Sequence, residues 1–360
     1  PETCGRICPE TCANSCALGH RGDAIAISWL KRYIADRIPF DSYKQILKAD
    51  GATVTGKKVA IVGAGPAGLA IAYYLRVAGV ESTIFEMMPA GGGMMRYGIP
   101  EYRMPKTLLD QEVGFVENLD GVTVKYNTTI GKDITMAQLK KEYDAVVVTV
   151  GSWKATGLGV KGDELARGGI VFLEQIALAG WKGADPGRTV VVGGGNTAMD
   201  CVRTSVRLGS TDVTCLYRRT RNEMPAQDIE ITEAMEEGVN FRFLSAPVGL
   251  EKKDGRILLT LIDMELGEPD KSGRRRPQPI EGSESTMEVD TVIAAIGQST
   301  VAPDGVSVNK WGNLTYDPET NLVEDNVFTA GDCATGPATV IEAVGHAKRT
   351  AESITQFLAK

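Results

Sequence analysis

The sequence predicts an α/β protein built on two parallel β-sheets and preceded by a helical, cysteine-rich segment. Apolar strand-like runs alternate with helical stretches over most of the 360 residues, and this alternation is typical of βαβ units. The same plan of strand, glycine-rich turn and helix occurs twice, starting at Val59 and again at Val190. Four of the seven cysteines lie within the first sixteen residues. These observations predict two related sheet domains behind a separate N-terminal segment.

The composition argues against several broad classes of protein. Hydrophobic residues make up 43% of the chain and charged residues 24%, as in an ordinary globular protein. A formal net charge of −7 argues against a nucleic-acid-binding protein, which needs a strongly basic face. No apolar run approaches the ~18 residues of a membrane-spanning helix, and the first residues do not resemble a secretory signal. We therefore expect a cytoplasmic protein with no nucleic-acid partner and no membrane span.

The first glycine-rich turn, Gly63–Gly68, has the spacing G-x-G-x-x-G and follows an apolar strand. In this motif the first glycine permits a tight turn and the second lets the backbone approach a pyrophosphate, while the third lets the helix pack on the strand. Glu86 ends the next strand, where its carboxylate can accept both hydroxyl groups of a ribose. The alternative is a plain strand–turn–helix with a surface glutamate. The full context favours a dinucleotide.

The second turn, Gly193–Ala198, has the variant spacing G-x-G-x-x-A. The strand that follows it ends in Arg218 and Arg219, where the first unit has an acid. Planar guanidinium groups match the oxygens of a ribose 2′-phosphate, so this site is predicted to prefer NADP over NAD. The alternative is that Arg218, Arg219 and Arg221 form a solvated basic face.

The N-terminal cysteines Cys4, Cys8, Cys12 and Cys16 recur every four residues. Four thiolates at this density, one of them followed by proline, favour a 4Fe-4S cluster. Zinc is the alternative, although its usual two separated C-x-x-C pairs are absent. The remaining interpretation is a set of reduced, unliganded cysteines on a helix face.

The C-terminal region gives a weaker signal. Gly331 and Asp332 follow a strand-like run, and a final helix is predicted from about Val340 to Leu358. An Asp directly after a strand can bind a polyol hydroxyl, and a helix N-terminus can stabilise negative charge on a reduced flavin. A simple turn is the alternative. His20 and His346 are interpreted as structural, and no catalytic acid–base residue is predicted.

Two further features bear on the function. The segment 267–286, rich in proline, glycine and charge, is predicted to be a solvated hairpin tip and not a site. Cys201, Cys215 and Cys333 stand alone, and neither nucleotide-binding unit contains C-x-x-C. A redox-active disulfide beside the nicotinamide is therefore not expected.

Six motifs follow one another along the chain: CGRICPETC from Cys4, the Gly63–Gly68 turn, RYGIPEYRMPK from Arg96, GNTAMD from Gly195, YRR from Tyr217 and AIGQ from Ala295. In this order they resemble glutamate synthase small (beta) subunits. They are also similar to related NADPH-dependent iron–sulfur flavoproteins, including the large subunit of electron-bifurcating NADH-dependent ferredoxin:NADP oxidoreductase. The resemblance covers essentially the whole chain.

The resemblance implies two Rossmann-like domains: an FAD domain over 51–160 and 301–360, and an inserted NAD(P) domain over 161–300. A partial 4Fe-4S segment would occupy 1–50. NADPH would deliver hydride to the flavin, and electrons would leave singly through the cluster. The motifs predict, from spacing or by resemblance, cofactor contacts at Gly63, Gly65, Pro66, Ala67, Gly68, Glu86, Gly93, Met94, Arg103, Gly151, Gly193, Gly195, Asn196, Thr197, Arg218, Arg219, Gly297, Gly331, Asp332, Thr339 and Val340.

The N-terminus departs from the pattern of these relatives, which usually carry an earlier cysteine-rich stretch that supplies a second cluster. This chain starts in the middle of that region without an initiator Met, as expected of a fragment, a proteolysed form or one part of a longer polypeptide. Cys4 is not cysteine in all relatives, so the implied ligand set rests most securely on Cys8, Cys12 and Cys16.

The resemblance implies an FAD-dependent NAD(P)H oxidoreductase subunit that works with a larger redox partner. That partner would be a glutamate synthase large subunit or another iron–sulfur/flavin complex. The alternatives are an electron-bifurcating transhydrogenase, and a diaphorase subunit associated with a hydrogenase or formate dehydrogenase. A non-catalytic electron-transfer scaffold and a thioredoxin-reductase-like disulfide reductase are also open.

Overall fold

The computed structural model describes residues 2–44, 54–270 and 273–360. Its helices are α1 Glu2–Arg6, α2 Thr11–Asn14, α3 Ile27–Ala35, α4 Phe40–Lys44, α5 Pro66–Val77, α6 Met94–Tyr97, α7 Lys106–Glu117, α8 Met136–Glu142, α9 Gly169–Leu178, α10 Asn196–Arg207, α11 Asp228–Glu236, α12 Asp332–Thr335 and α13 Val340–Leu358. Its strands are β1 Lys58–Val62, β2 Glu81–Phe85, β3 Val122–Lys125, β4 Ala145–Val148, β5 Lys154–Ala155, β6 Arg167–Gly168, β7 Thr189–Val192, β8 Val213–Tyr217, β9 Asn240–Phe243, β10 Ser245–Lys253, β11 Arg256–Pro269, β12 Arg275–Pro279, β13 Ser285–Val289, β14 Thr291–Ala294, β15 Gln298–Ser299, β16 Leu322–Glu324 and β17 Val327–Thr329.

The chain divides into two compact units. The first combines Pro1–Ser152 with Ser299–Lys360, and the second is Trp153–Gln298. One α/β unit is thus inserted into another, which confirms the predicted fold class. The insertion had been predicted to span 161–300.

The first unit is built on a six-stranded sheet in the order β16-β17-β4-β1-β2-β3. The neighbours from β17 to β3 run parallel, and β16 alone pairs antiparallel. All four residues of β4 and the last four of β1 are buried, because helices cover the sheet where these central strands lie. On one face, α5 and α13 contribute Ile71, Leu75 and Ile354 to the core. This arrangement leaves the carboxyl ends of the strands open for a site.

The N-terminal segment belongs to the first unit and is attached to α7. The carboxylate of Glu112 accepts hydrogen bonds from the backbone N–H groups of Glu2 and Thr3, at 2.9 and 3.2 Å, and from the Thr3 hydroxyl. Arg6 in turn forms ion pairs with Glu2 and with Asp36, next to α3. These charged groups fix α1, which carries Cys4, to α7 and to the end of α3.

The second unit contains a five-stranded parallel sheet in the order β6-β14-β7-β8-β9. A second, antiparallel sheet follows it, in which β11 pairs with β10, β12 and β13. The parallel sheet repeats the plan of β1, α5 and β2 in β7, α10 and β8. Among the described residues of both units, no helix has the length and apolar character needed to cross a membrane.

Candidate functional site

The first glycine-rich turn lies between β1 and α5 and requires its glycines. Gly63 has a φ of +107°, and a Cβ at this position would lie 2.7 Å from the carbonyl oxygen of Thr149 on the neighbouring chain segment. A Cβ on Gly68 would overlap the carbonyl oxygen of Gly63, so the helix packs directly on the turn. Gly65, the N-cap of α5, has open space, with only Gly93 Cα within 4 Å of a hypothetical Cβ. The N-terminus of α5 is therefore accessible to a phosphate group.

A second glycine-rich segment covers this turn. Gly92 donates its N–H to the carbonyl oxygen of Ala64 at 2.8 Å, and Gly93 has a φ of +52°. A Cβ on Gly93 would lie 2.8 Å from Gly65 Cα, so only glycine permits this approach of the two backbones. Met94 follows as the first residue of α6. The predicted contacts at Gly65, Gly93 and Met94 are thus brought together, and their backbone forms a cradle that fits a dinucleotide.

Glu86 lies at the end of β2 with 6% of its surface exposed. One carboxylate oxygen accepts the N–H of Ala64 at 2.7 Å, and the other accepts the N–H of Met88 at 2.8 Å. Burial raises the pKa of Glu86, although these backbone N–H groups act in the opposite direction. Each oxygen keeps a further lone pair, which can accept a ribose hydroxyl.

Gly331 and Asp332 also lie at the first turn. Gly331 has a φ of +77°, and a Cβ there would lie 2.9 Å from the Cβ of Ala67 in α5. Asp332 begins α12, and burial raises the pKa of its carboxyl to about 6 despite a hydrogen bond from the backbone N–H of Ala338. Asp332 is half-buried and directly follows Gly331 at the start of α5, and this position fits the predicted contact with a flavin nucleotide.

The other predicted contacts of the first unit are less distinctive. Thr339 caps α13 through a capping box with Glu342, whose carboxylate accepts the Thr339 N–H at 2.9 Å, and Val340 is the first residue of the helix. Arg103 is half-buried after α6, and Gly151 has a φ of +68° just past β4.

The second turn lies between β7 and α10 and has the same design. Gly193 has a φ of +147°, and a Cβ there would overlap the carbonyl oxygen of Ala295. Gly195 is the N-cap of α10, and a Cβ there would have only Pro225, at 3.8 Å, within 4 Å. This open N-terminus fits a second pyrophosphate. Asn196 and Thr197 form the first turn of α10, and the side-chain oxygen of Asn196 accepts the N–H of Gln227 at 3.1 Å.

The two arginines after β8 have different environments. Arg218 is exposed, whereas Arg219 is 5% exposed. Arg219 donates from Nε to the carbonyl oxygen of Arg275 at 2.7 Å and from Nη2 to the Asp270 carboxylate at 3.1 Å. The sequence had suggested two equivalent cations, but only the guanidinium of Arg218 is exposed. The turn between β11 and β12, predicted to be only solvated, contacts the end of β8 through these bonds.

Gly297 lies at the end of the second unit with a φ of +144° and accepts the N–H of Thr156 at 3.0 Å. Arg221, the third cation of the predicted basic face, donates to the hydroxyl of Thr232 at 2.9 Å.

The four N-terminal cysteines are free thiols on and between short helices. Cys4 and Cys12 are exposed, and Cys8 and Cys16 are half-buried. Lys31 donates from Nζ to the sulfur of Cys8 at 3.1 Å, and this hydrogen bond, together with the nearby Cys4 and Cys12, raises the pKa of Lys31. Backbone N–H groups, first that of Ile25, lower the pKa of Cys16.

The chemistry of this donor set fits an iron–sulfur cluster. Within residues 2–44, 54–270 and 273–360, no three Cys, His, Asp or Glu side chains are close enough to bind one metal ion. A four-iron cluster takes one thiolate at each iron, so its ligands stand further apart than those of zinc. Four cysteine thiols within residues 4–16 provide the ligand chemistry that such a cluster needs.

Two buried groups make contacts at these sites that the sequence did not indicate: Thr149, and His346, which was interpreted only as structural. The Thr149 hydroxyl donates to the carbonyl oxygens of Val62, at 2.9 Å, and Gly63, at 3.2 Å, and so fixes the first turn from β4. The sequence signal for this contact is that Thr149 is a polar residue directly after an apolar strand. His346 accepts the N–H of Gly331, and nothing in its local sequence indicates this contact.

Comparison with known families gives two matches. Residues 57–347 match the pyridine nucleotide-disulphide oxidoreductase family. Residues 1–41 match the family described as dihydropyrimidine dehydrogenase domain II, 4Fe-4S cluster. These matches show FAD, NADP(H) and a 4Fe-4S cluster as the cofactors.

Several curated proteins are similar over nearly the whole chain. The beta subunit of NADP(+)-dependent formate dehydrogenase from Moorella thermoacetica is 40% identical over 98% of this chain and 54% of its own length. The beta subunit of NADPH-Fe(3+) oxidoreductase from Geobacter sulfurreducens is also 40% identical, over 99% of this chain and 58% of its own. The chain therefore spans little more than half the length of these two relatives.

A glutamate synthase [NADPH] small chain and a solved structure complete the comparison. The small chain of Escherichia coli is 34% identical over 99% of this chain and 80% of its own length. FprA from Mycobacterium tuberculosis has the same fold, with a TM-score of 0.74 at 18% identity, covering 83% of this chain and 84% of its own. The chain therefore belongs to the pyridine nucleotide-disulphide oxidoreductase family, in the group that contains the glutamate synthase small chains.

Proposed function

We propose that this chain is the NADPH-linked flavoprotein subunit of a larger redox complex. The observation that carries the proposal is the chemical difference between two equivalent turns. The first presents an open helix N-terminus beside the buried carboxylate of Glu86, and the second presents one with the exposed Arg218 after the next strand. The first arrangement suits a nucleotide with free ribose hydroxyls, and the second suits one with a 2′-phosphate.

The first unit would hold FAD. The backbone N–H groups at the start of α5 would bind the pyrophosphate, Glu86 would accept the ribose hydroxyls, and Gly93 and Asp332 would border the nucleotide. When bound, FAD supplies hydride and single-electron chemistry, and the protein supplies its position and electrostatic surroundings.

The second unit would hold NADP(H) at the start of α10. Arg218 is proposed to bind the 2′-phosphate, because its guanidinium is exposed and no described acid pairs with it. Arg219 is proposed to stabilise the end of β8 and not to bind the phosphate, since the Asp270 carboxylate already balances its charge. The two arginines therefore have different proposed roles, whereas the sequence suggested that both bind the 2′-phosphate.

The N-terminal segment would hold the 4Fe-4S cluster through Cys8, Cys12 and Cys16, with Cys4 as a further candidate ligand. Several similar proteins are named as beta subunits or small chains, which supports a larger partner subunit for this chain. A formate-oxidising subunit and a glutamate-forming subunit are the two kinds of partner that these names suggest. Identifying the proteins that co-purify with this chain from its native source would distinguish these two kinds of partner.

A disulfide reductase of the thioredoxin-reductase type has less support. The thiols of Cys201 and Cys215 are buried and donate to the carbonyl oxygens of Gly169, at 3.7 Å, and Gly193, at 3.3 Å. Burial raises the pKa of Cys215 to about 12, so this thiol stays protonated and unreactive.

An anaerobic titration tests the proposal. Purified protein reconstituted with FAD is mixed with NADPH, and the flavin absorbance is recorded, with NADH as the matched control. We expect NADPH to bleach the flavin at lower concentration than NADH. Bound flavin that NADPH does not bleach would contradict the proposed function, and NADPH-dependent dye reduction would exclude a purely non-catalytic scaffold.

A further inference from the structure

His346 makes one hydrogen bond from each ring nitrogen. It lies in the second turn of α13 with 4% of its surface exposed. The backbone N–H of Gly331 donates to Nδ1 at 3.3 Å, and Nε2 lies 2.8 Å from the side-chain oxygen of Asn321. Because a backbone N–H can only donate, Nδ1 must carry no proton. The proton is therefore on Nε2, which donates it to Asn321.

Asn321, the partner of Nε2, is itself held by backbone hydrogen bonds. Asn321 is 4% exposed and has a φ of +59°. Its N–H donates to the carbonyl oxygen of Asp317 at 2.7 Å, and its carbonyl oxygen accepts the N–H of Thr329 at 3.0 Å. The imidazole thus connects Gly331 to a rigid, buried support. The Tyr316 ring, 5.8 Å away between centroids, packs against it.

On its other side, Gly331 is confined by the first nucleotide-binding turn. A Cβ on Gly331 would lie 2.9 Å from the Cβ of Ala67, which is in the first turn of α5. Gly331 is therefore held between His346 and the start of α5, and the next residue in the chain is Asp332. The bond to His346 fixes the peptide group between Ala330 and Gly331, and a change in the backbone there can shift the Asp332 carboxylate.

We propose that His346 is a positioning residue for FAD binding: its unprotonated Nδ1 holds the Gly331 N–H, and this bond sets the position of the Asp332 carboxylate. The inference rests on the proposed function, since it takes the Gly331–Asp332 turn as part of the FAD site. The role of Nδ1 is separable from the role of Nε2, which anchors the ring to Asn321. A residue that only filled space would show no such separation.

Two substitutions divide these roles. In His346→Asn the side-chain oxygen lies near the position of Nδ1, so an acceptor for Gly331 is kept and the bond to Asn321 is lost. In His346→Gln the amide reaches the position of Nε2, so the bond to Asn321 is kept and Gly331 loses its acceptor. Both changes remove one buried hydrogen bond, and we expect similar losses of thermal stability. The pair is therefore matched for structural damage.

The test measures the dissociation constant for FAD of the deflavinated full chain by fluorescence quenching, together with the flavin dissociation rate of the loaded protein. We expect His346→Gln to weaken FAD binding about tenfold and His346→Asn to stay within about threefold of the parent protein, as loss of one buried acceptor predicts. His20→Gln, a change at an exposed histidine, should have no effect. The constant for NADP(H) should not change in any variant.

The outcomes separate the two proposals. Equal FAD affinities for the Asn and Gln variants, or a weaker Asn variant, would contradict the positioning role of Nδ1. If a variant does not survive removal of FAD, the dissociation rate from the loaded protein decides by the same ranking. A parent protein that binds no FAD would instead contradict the proposed function itself.

Discussion

The two nucleotide-binding turns of this protein share a backbone and differ in the chemistry around it. In both, the first glycine has a positive φ that places a hypothetical Cβ against a carbonyl oxygen of a neighbouring strand segment, and the third residue caps the helix. The last position differs: Gly68 admits no methyl group, whereas Ala198 carries one. The following strands end in a buried acid in one unit and in two arginines in the other. We therefore propose that the backbone sets where a diphosphate binds and that the residue at the strand end sets which nucleotide is preferred.

The largest expected effect comes from exchanging the last positions of the two turns. In Gly68→Ala the new methyl group would overlap the Gly63 carbonyl oxygen, which is backbone and cannot move away cheaply. We expect a loss of stability of about 3 kcal/mol or more, with loss of FAD. The matched change Ala198→Gly should cost only about 1 kcal/mol. Urea denaturation and flavin content measure both, and equal costs would refute the difference in packing.

The next effect tests the acid of the first turn. In Glu86→Gln one oxygen remains to accept a backbone N–H, but the amide nitrogen cannot accept the other, and the charge is lost. We expect FAD binding to weaken by about 2–3 kcal/mol, as for hydrogen bonds to a charged group. Isothermal titration calorimetry with FAD measures the change in binding free energy, and titration with NADPH is the control. An unchanged FAD affinity would remove Glu86 from the site.

Substitutions of the two arginines after β8 should have different effects. Arg218→Ala is expected to weaken NADPH binding by about 1–3 kcal/mol with little effect on NADH, because only NADPH has a 2′-phosphate. Arg219→Ala should act mainly on stability, because it removes a buried guanidinium that binds the Arg275 carbonyl oxygen and the Asp270 carboxylate. Binding constants for both nucleotides and thermal unfolding distinguish the two. A nucleotide-specific loss only in Arg219→Ala would reverse the assignment.

The smallest effect depends on pH and concerns Asp332. Burial raises the pKa of this carboxyl from 3.8 to about 6, so the folded protein binds the proton more tightly than the unfolded chain. The ionised carboxylate therefore destabilises the folded protein, and this destabilisation increases as the pH rises from about 4 to 6. We expect Asp332→Asn to stabilise the FAD-free protein by about 1–2 kcal/mol at pH 7 to 8, an effect absent below about pH 4. Denaturation at both pH values tests this, and the same change should weaken FAD binding.

The sequence predicted the fold because its strongest signals are local. The final helix spans Val340–Leu358 as expected, and β1 spans the apolar run Lys58–Val62. The glycine spacing of both turns predicted their position because each glycine meets a steric requirement of the strand–turn–helix connection. Such requirements involve residues close together in the chain and can be read without knowing the rest of the structure.

The finer features of the sites depend on contacts between distant segments. Arg218 and Arg219 look alike in the sequence, but Arg219 pairs with Asp270, 51 positions away, across a hairpin whose packing no local pattern encodes. The bonds of His346 to Gly331 and Asn321 likewise join a helix to two separate loops. The proton position on the ring follows only when both partners are known. Local patterns therefore identify the sites, and the tertiary structure assigns roles within them.

The attachment of the N-terminal segment to Glu112 has a kinetic consequence. The cysteines and the first turn belong to one unit, linked through α7 by the bonds from Glu2 and Thr3. The distance between these two places is therefore set within one unit, and electron transfer between groups bound there would depend on that distance. A change that frees the segment from Glu112 would therefore alter the distance between a cluster held by the cysteines and a flavin held at the first turn.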